Sequence, residues 1–529
     1  MKIWGVRRRN RALYGAASLL ALLAPGGAAG QQMSRPIAPS AAATPAAARQ
    51  PNILFVLIDD MGYADLSVTG NRKVATPNLD KLASQGLLLT RFYDAAPICS
   101  PSRAGFFTGR FPAELNFVTF INDRAANARF GQANWLDPKL PNLASVLKGA
   151  GYATAHFGKW HMGGGRDVGD APWPTAYGFD ESLTTFEGLG PRVLVSDEER
   201  QLADQSAKLG QGPVFYDRKS NLTQLYAAKT LEFVSRHRDS PWFVQLWLND
   251  VHDPWAPDEA QLKEVQGKGA DAQDDKYQAS IVKMDRSLGN LIDRLKDMGE
   301  FDNTLIVVTS DNGPTARKVY YQQGHVSPGS AGPLRGRKGS LYEGGIRQPL
   351  IISWPQRVTK PRGDDVTVAQ AVDLLPTLAA AAGVKLPSSG AGVDLAPVLD
   401  GTTTTTRSPL FWAFGLPKAS AQPEGPFPAR DRAPRLAIRD GKWKLLVDAD
   451  GRGSELYDLE ADPNETNDVA ARQPRLRDRL KKRLLEWAAA LPSPAGSATA
   501  AKAKVSEHNR LSAAPTAKGV GRSAPCSVL

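Results

Sequence analysis

The stretch Asn52-Ile-Leu-Phe-Val-Leu-Ile58 constrains the fold more than any other. It is short, apolar and rich in branched side chains. Such a run suits a strand buried on both faces, as in a parallel sheet covered by helices. It ends at Asp59-Asp60, and three later runs end in comparable chemistry. Tyr152 to Phe157 leads into Lys159 and His161. Trp242 to Leu248 leads into His252, and Thr304 to Ser310 into Asp311-Asn312-Gly313. Helical stretches are expected between them: Thr76 to Gly86, Leu143 to Lys148, Leu222 to His237, Asp274 to Met298 and Val366 to Ala382. The alternation predicts an α/β fold with a large, mostly parallel central sheet flanked by helices. Ligands of such sheets bind beyond the carboxyl ends of the strands. Four strand ends of this kind therefore predict one composite site.

After Thr402 to Thr406 the pattern changes. Short strands are expected at Leu410 to Phe414, Arg435 to Arg439, Trp443 to Val447 and Glu455 to Leu459, with a hairpin turn at Asp440-Gly441. Leu476 to Ala490 completes a smaller antiparallel α+β subdomain. The expected organisation is a signal peptide over 1–30, a disordered linker over 31–50, a catalytic α/β domain over 51–400, the subdomain over 407–490 and a disordered tail over 491–529.

Charge supports these boundaries. The formal net charge is +11. Lys2, Arg7, Arg8, Arg9, Arg11, Arg35 and Arg49 stand before residue 51 with no acid. Lys502, Lys504, Arg510, Lys518 and Arg522 stand after residue 490 against Glu507 alone. The body between is neutral, which argues against a nucleic-acid binder. The cationic start, the apolar Leu13 to Leu23 and the small residues of Ala24 to Gly30 read as an export signal. That apolar segment is short for a membrane anchor. The expected location is periplasmic or secreted.

Only two cysteines occur, Cys99 and Cys526. A bridge between them would tether the tail to the start of a helix. Cys99 opens Cys-x-Pro-x-Arg, and the residues after it, through Thr108, read as a helix stopped by Gly109. A helix entrance is a place where backbone N–H groups meet an anion. Asp59, Asp60, Asp311 and Asn312 offer only oxygen, so the expected metal is Ca²⁺, ahead of Mg²⁺. Arg103, Lys159 and Lys338 add positive charge suited to an anionic substrate. A thiolate is a poor ligand for so hard a cation, which makes a plain Cys99 out of place there.

Pro97 to Gly109 resembles, position by position, the signature of the formylglycine-dependent type I sulfatases of the alkaline phosphatase superfamily. Gly151-Tyr-x-Thr-x-x-Phe-Gly-Lys159-Trp-His161 resembles their second signature, departing at Phe157, where a smaller residue is usual. Ser310 to Gly313 and Gly336-x-Lys338-Gly-x-x-x-Glu343-Gly-Gly resemble further family blocks, and the likeness spans about residues 51–490. It implies that a formylglycine-generating enzyme oxidises Cys99 to formylglycine, whose hydrate supplies both an oxygen ligand and the nucleophile. Arg103 and Lys159 would hold that hydrate. His161 would take the proton as sulfate is expelled, His252 would protonate the leaving alcohol, and Lys338 would clamp a sulfate oxygen. The implied substrate is a sulfated small molecule or glycan, most readily a carbohydrate O-sulfate. A phosphonate or phosphodiester hydrolase on the same scaffold, or a silent binder of sulfated glycan, are the competing readings. Arg166, Trp173 and Arg337 are candidate specificity residues. His156 reads as core, and His325, His237 and His508 as surface positions.

Overall fold

The computed structural model describes residues 49–197, 200–316, 327–386, 390–402, 409–415 and 431–492. The expected signal, nearly all of the linker and tail, most of the Thr402 to Thr406 hinge, His325, His508 and Cys526 lie outside them. In chain order the strands are β1 (Asn52–Ile58), β2 (Leu87–Tyr93), β3 (Ala153–Lys159), β4 (Glu181–Thr185), β5 (Arg192–Val195), β6 (Val214–Asp217), β7 (Trp242–Leu248) and β8 (Thr304–Ser310). They continue with β9 (Arg347–Ser353), β10 (Arg362–Asp364), β11 (Ala369–Gln370), β12 (Leu410–Ala413), β13 (Leu436–Asp440), β14 (Trp443–Val447) and β15 (Glu455–Asp458). The large sheet has the order β10-β2-β9-β8-β1-β7-β3-β4-β5-β6, with β11 added to β2. Its neighbours are parallel except β9, which runs against both β2 and β8.

β1 lies at the centre because it has no polar face. Ile53, Phe55 and Leu57 pack into one core with Phe106, Phe107 and Trp247. Leu54, Val56 and Ile58 pack into the other with Tyr226, Met284 and Leu288. Alternate side chains of a strand point to opposite faces, so an unbroken apolar run fills two cores. Register then aligns the strand ends. Ile58 pairs with Leu248 on one side and Ser310 on the other, while Gly158 pairs with Trp247. Residues that follow these partners emerge at nearly one level. Gly158 has φ +116°, and a Cβ there would meet the Trp247 carbonyl oxygen at 1.9 Å, so only glycine lets β3 keep its pairing.

Helix Ala272–Asp297 buries Ile281, Met284, Leu288, Leu291, Ile292 and Leu295, as their helical spacing predicts. The expected helix over Val366 to Ala382 begins only at a 3-10 turn, Ala371–Asp373, which leads into Leu374–Ala381. Ala369 and Gln370 instead pair with β2, and Thr367 bonds Asp364 through both N–H and hydroxyl. The branched run Val366-Thr-Val favours extended backbone, and an open sheet edge was there to accept it. No helix among the described residues is long and apolar enough to cross a membrane.

The second sheet is antiparallel, in the order β12-β13-β14-β15. Leu480 and Leu484 of helix Pro474–Ala489 are buried against its core. A buried charge cluster joins it to the large sheet. Lys444 Nζ on β14 lies 2.9 Å from Glu343 Oε1 and 2.9 Å from Glu465 Oε1, with all three side chains sealed from solvent. Tyr93 of β2 donates to Glu343 at 2.6 Å. Lys444→Met would leave Glu465 without its cation and Glu343 with Arg347 alone in reach, at 3.5 Å. It is expected to cost about 3–5 kcal/mol, read as a lower urea midpoint. Burial and the nearby Glu343 push Glu465 up to about 7, against the pull of Lys444. A folded pKa above the unfolded one stabilises at low pH, and that stability is lost as pH rises through the folded value. Glu465→Gln, neutral throughout, should remove this part of the decline. The stability of the variant relative to the parent should therefore rise between about pH 5 and about pH 8, measured by denaturation across that range.

Candidate active site

Asp59 and Asp60 leave β1 together, and Asp60 turns into a left-handed conformation at φ +62°. Its N–H donates to Asp311 Oδ1 at 3.2 Å. Asp311 and Asn312 leave the adjacent β8 at the same level, where the Asp311 N–H donates to the Ile58 carbonyl at 3.2 Å. The two acidic corners therefore interlock through backbone. Asn312 Nδ2 donates to Asp60 Oδ1 at 2.8 Å, while Asn312 Oδ1 is buried with no hydrogen-bond partner.

Helix Cys99–Thr108 forms where the motif places it, with Cys99 as its first residue. Cys99 Sγ lies 3.4 Å from Asp59 Oδ1, 4.0 Å from Asp60 Oδ1 and 3.5 Å from Lys159 Nζ. One turn on, Arg103 is fully buried. Its Nε donates to Asp311 Oδ2 at 2.8 Å and one NH group to the Lys159 carbonyl at 2.9 Å. Lys159, the last residue of β3 rather than the first of a loop, places Nζ 2.5 Å from Asp59 Oδ2. Lys338 places Nζ 2.6 and 2.8 Å from the two oxygens of Asp60. His252 donates from Nδ1 to the Asp253 carbonyl at 2.5 Å, which leaves Nε2 open 3.7 Å from Asp60 Oδ2. Lys219 Nζ holds that loop through the carbonyls of His252 and Pro254. His161 stands at φ +54° with both ring nitrogens buried and unpartnered.

The charges balance. Burial opposes ionisation of Asp59, but the cations of Lys159, Arg103 and Lys338 hold it well below the usual carboxylate range. Burial and then Asp59 push Asp311 up to about 7. Burial and Lys159 bring His252 down to about 3, and the same pair of causes holds His161 well below its ordinary value. Three acids thus face three cations, with both imidazoles neutral. A divalent ion would leave the site positive, as an anionic substrate requires.

The donor chemistry fits such an ion. Asp59, Asp60, Cys99 and His252 each bring a possible ligand atom within 4.8 Å of the others. The open Asn312 Oδ1 is a further hard acceptor that nothing in the protein satisfies. The sulfur is the exception. Burial and Asp59 push the Cys99 thiol up to about 12, against Lys159 and Lys338, so it stays protonated.

The structure brings Asp59, Asp60, Cys99, Arg103, Lys159, His161, His252, Asp311, Asn312 and Lys338 into one cluster. His156 belongs to the core, bonded to Gln245 at 3.0 Å. Arg337 spends its guanidinium on the carbonyls of Thr315, Ser327, Pro328 and Gly329, so it holds its own loop. Trp173 lies over Gly190, and Arg166 pairs with Glu187 at 2.8 Å. Three neighbours escaped the sequence. Asp94 follows β2 with both oxygens buried and unpartnered, and burial and Asp311 push it well above the ordinary range. It obeys the same strand-end rule as Asp59 and could have been found by it. Phe186 and Glu187 lie in a stretch with no motif to mark them.

A helix entrance facing buried carboxylates, lysines and neutral histidines at parallel strand ends defines a hydrolase of anionic esters. The chain belongs to the sulfatase family, whose model matches residues 51–384. The model described as N-sulphoglucosamine sulphohydrolase, C-terminal, matches residues 337–490. Arylsulfatase A of Bos taurus is 31% identical over 451 residues, 82% of this chain and 81% of the relative. N-acetylgalactosamine-6-sulfatase of Sus scrofa is 34% identical over 388 residues, 70% of this chain and 69% of the relative. A crystal structure of Ps i-CgsB in complex with k-i-k-neocarrahexaose matches with a TM-score of 0.69 at 25% identity, over 88% of this chain and 99% of the other. The protein is thus a type I sulfatase, a hydrolase of sulfuric esters.

In protein whose residue 99 remains cysteine, the buried thiol should resist iodoacetamide at about pH 8, where a pKa near 12 leaves only about one molecule in 10⁴ as thiolate. Peptide mass mapping before and after unfolding in urea checks this. Cys99 should become labelled only after unfolding.

Proposed function

We propose that this chain is an exported, Ca²⁺-dependent sulfatase that removes sulfate from a carbohydrate O-sulfate through a hydrated formylglycine made from Cys99. The observation that carries the mechanism is the setting of Cys99. A protonated sulfur sits at a helix entrance among carboxylates and ammonium groups, where oxygen would be the better donor. The carbohydrate part rests on the sugar sulfatase among the relatives and on the oligosaccharide bound to the similar structure. The export part rests on the cationic and apolar start of the chain. A formylglycine-generating enzyme would be the partner in maturation, acting before the helix buries residue 99.

Asp59, Asp60, Asp311 and Asn312 would hold the cation, which supplies Lewis-acid polarisation of the sulfate. The remaining steps belong to side chains. Arg103 and Lys159 stabilise negative charge on a hydroxyl at residue 99, which attacks sulfur. The sulfur–oxygen bond of the ester breaks, and the departing alcohol takes a proton from His252. His252 is neutral in the free site, and the negative charge of a bound sulfate favours the protonated form that this step needs. Lys338 keeps its proton and clamps a sulfate oxygen. His161 then accepts the proton of the second hydroxyl. The carbon–oxygen bond to sulfate breaks, the aldehyde returns, and water hydrates it again.

Mass spectrometry of the Cys99 peptide from protein made in its native host should show CHO in place of CH₂SH. Cys99→Ala should lower turnover of an aryl sulfate by about 10⁴-fold or more. Wholly unmodified cysteine in an active enzyme would end this mechanism. An aryl phosphodiester turned over faster than both an aryl sulfate and a sulfated monosaccharide would assign the site to the phosphodiester reading. After removal of the metal with EGTA, Ca²⁺ should restore both turnover and the thermal midpoint at lower concentration than Mg²⁺.

A further inference from the structure

His161 has a task in the mechanism proposed above but no partner among its ordinary neighbours. Both of its ring nitrogens are buried and make no hydrogen bond. A histidine that takes a proton at one nitrogen needs the other held, because the second contact selects the tautomer. One acceptor is in place. Glu187 Oε2 stands 3.9 Å from His161 Nε2, a small movement short of a hydrogen bond. The other oxygen of the same carboxylate is anchored, with Arg166 Nε 2.8 Å from Oε1. The carboxylate therefore sits between a fixed cation on its outer side and the imidazole on its inner side.

The backbone around this contact is shaped for it. His161, Arg166, Phe186 and Glu187 all have positive φ, at 54°, 55°, 47° and 56°. None is glycine, and each such conformation costs on the order of 1–3 kcal/mol. Four in one corner persist only where surrounding contacts over-determine them. Those contacts are visible. The His161 N–H donates to the Phe186 carbonyl at 3.3 Å. The Phe186 ring meets the His161 ring edge-on, with centroids 4.9 Å apart and planes at 88°. A Cβ at residue 165 would lie 2.6 Å from Glu187 Cγ, so Gly165 is what admits the glutamate. The Phe186 ring sets the plane of the imidazole, and Glu187 faces one of its nitrogens.

We propose that Glu187, anchored by Arg166, is a positioning residue that holds the His161 ring with its proton on Nε2 and its open Nδ1 toward the reacting group. The proposal rests on the part assigned to His161 above, but the ring state can be read without turnover. The chain has six histidines, so ¹⁵N labelling of histidine gives a spectrum that a His161→Gln control can assign. At about pH 8, where neutral imidazole dominates, the parent enzyme should show His161 as one tautomer, protonated on Nε2. Glu187→Ala should convert it to a mixture. Glu187→Gln, whose amide oxygen still accepts, should retain the single tautomer. With an aryl sulfate, Glu187→Ala should lower kcat by about 10- to 100-fold, less than the 10²–10⁴ of a proton-transfer group itself, at a KM within about twofold. Glu187→Gln should recover most of the loss. If Glu187→Ala fails to fold, Arg166→Met, which frees the carboxylate, should broaden the same signal. An unchanged His161 tautomer in Glu187→Ala, or in Arg166→Met where the alanine variant does not fold, would overturn the proposal. A fixed tautomer lost in Glu187→Ala without any change in kcat would leave the positioning intact and overturn the part given to His161.

Discussion

One buried guanidinium ties the site together. Arg103 reaches Asp311 from β8, the carbonyl of Lys159 at the end of β3, and Asp59 after β1 at 3.4 Å, while its plane lies 5.1 Å over Trp247 of β7. It also belongs to the helix that Cys99 begins. Four strands and one helix are thus referred to a single planar group. Taking a cation out of water is expensive unless its donors are matched. A lysine would bring one compact charge and could not span these acceptors together. The helix entrance is therefore placed by the same guanidinium that offsets the repulsion between Asp59 and Asp311.

That arrangement explains why so much charge tolerates burial. Asp59, Asp60 and Asp311 each have a cation at hydrogen-bonding distance, and both histidines stay neutral. The protein has neutralised its site before any ligand arrives, so a divalent ion and an anionic ester complete it rather than compete with it. The second sheet follows the same rule at a different place. Lys444 stands between Glu343 and Glu465 with no access to solvent, and it couples the glycine-rich loop that carries Lys338 to the antiparallel sheet. Strain gathers at the corner of His161, Arg166, Phe186 and Glu187, where four positive φ values stand beside the reacting groups.

Much of this was legible in the chain. The apolar runs before Asp59, Lys159, His252 and Asp311 were readable as buried strands because burial on both faces leaves few polar members in the pattern, and two of those, His156 and Gln245, bond each other. The Cys-x-Pro-x-Arg run was readable because its spacing is local. β4, β5 and β6 were not, since Glu181–Thr185, Arg192–Val195 and Val214–Asp217 are short and carry little periodicity. The extended segment at Ala369 and Gln370 was misread as helix, because the sheet edge that pairs with it is contributed by β2, far earlier in sequence. Glu187 was invisible for a similar reason. A glutamate in a glycine-rich loop looks solvated until the fold packs it against Gly165 and Arg166.

By itself the sequence determined the central strands and the main helices between them, the oxygen-rich residues at the strand ends, and a cysteine held apart in a motif. These are local properties, set by side-chain period, turn chemistry and spacing. Only the tertiary structure decided which ends meet. Register placed Ile58 level with Leu248 and Ser310, which brought Asp59 beside Asp311, and Arg103 then fixed the Cys99 helix against them. Tertiary packing also decided protonation, because burial and neighbouring charge, not residue type, keep the thiol and the imidazoles uncharged. A chain can specify its ligands one by one, but the field they share exists only once the sheet has closed around them.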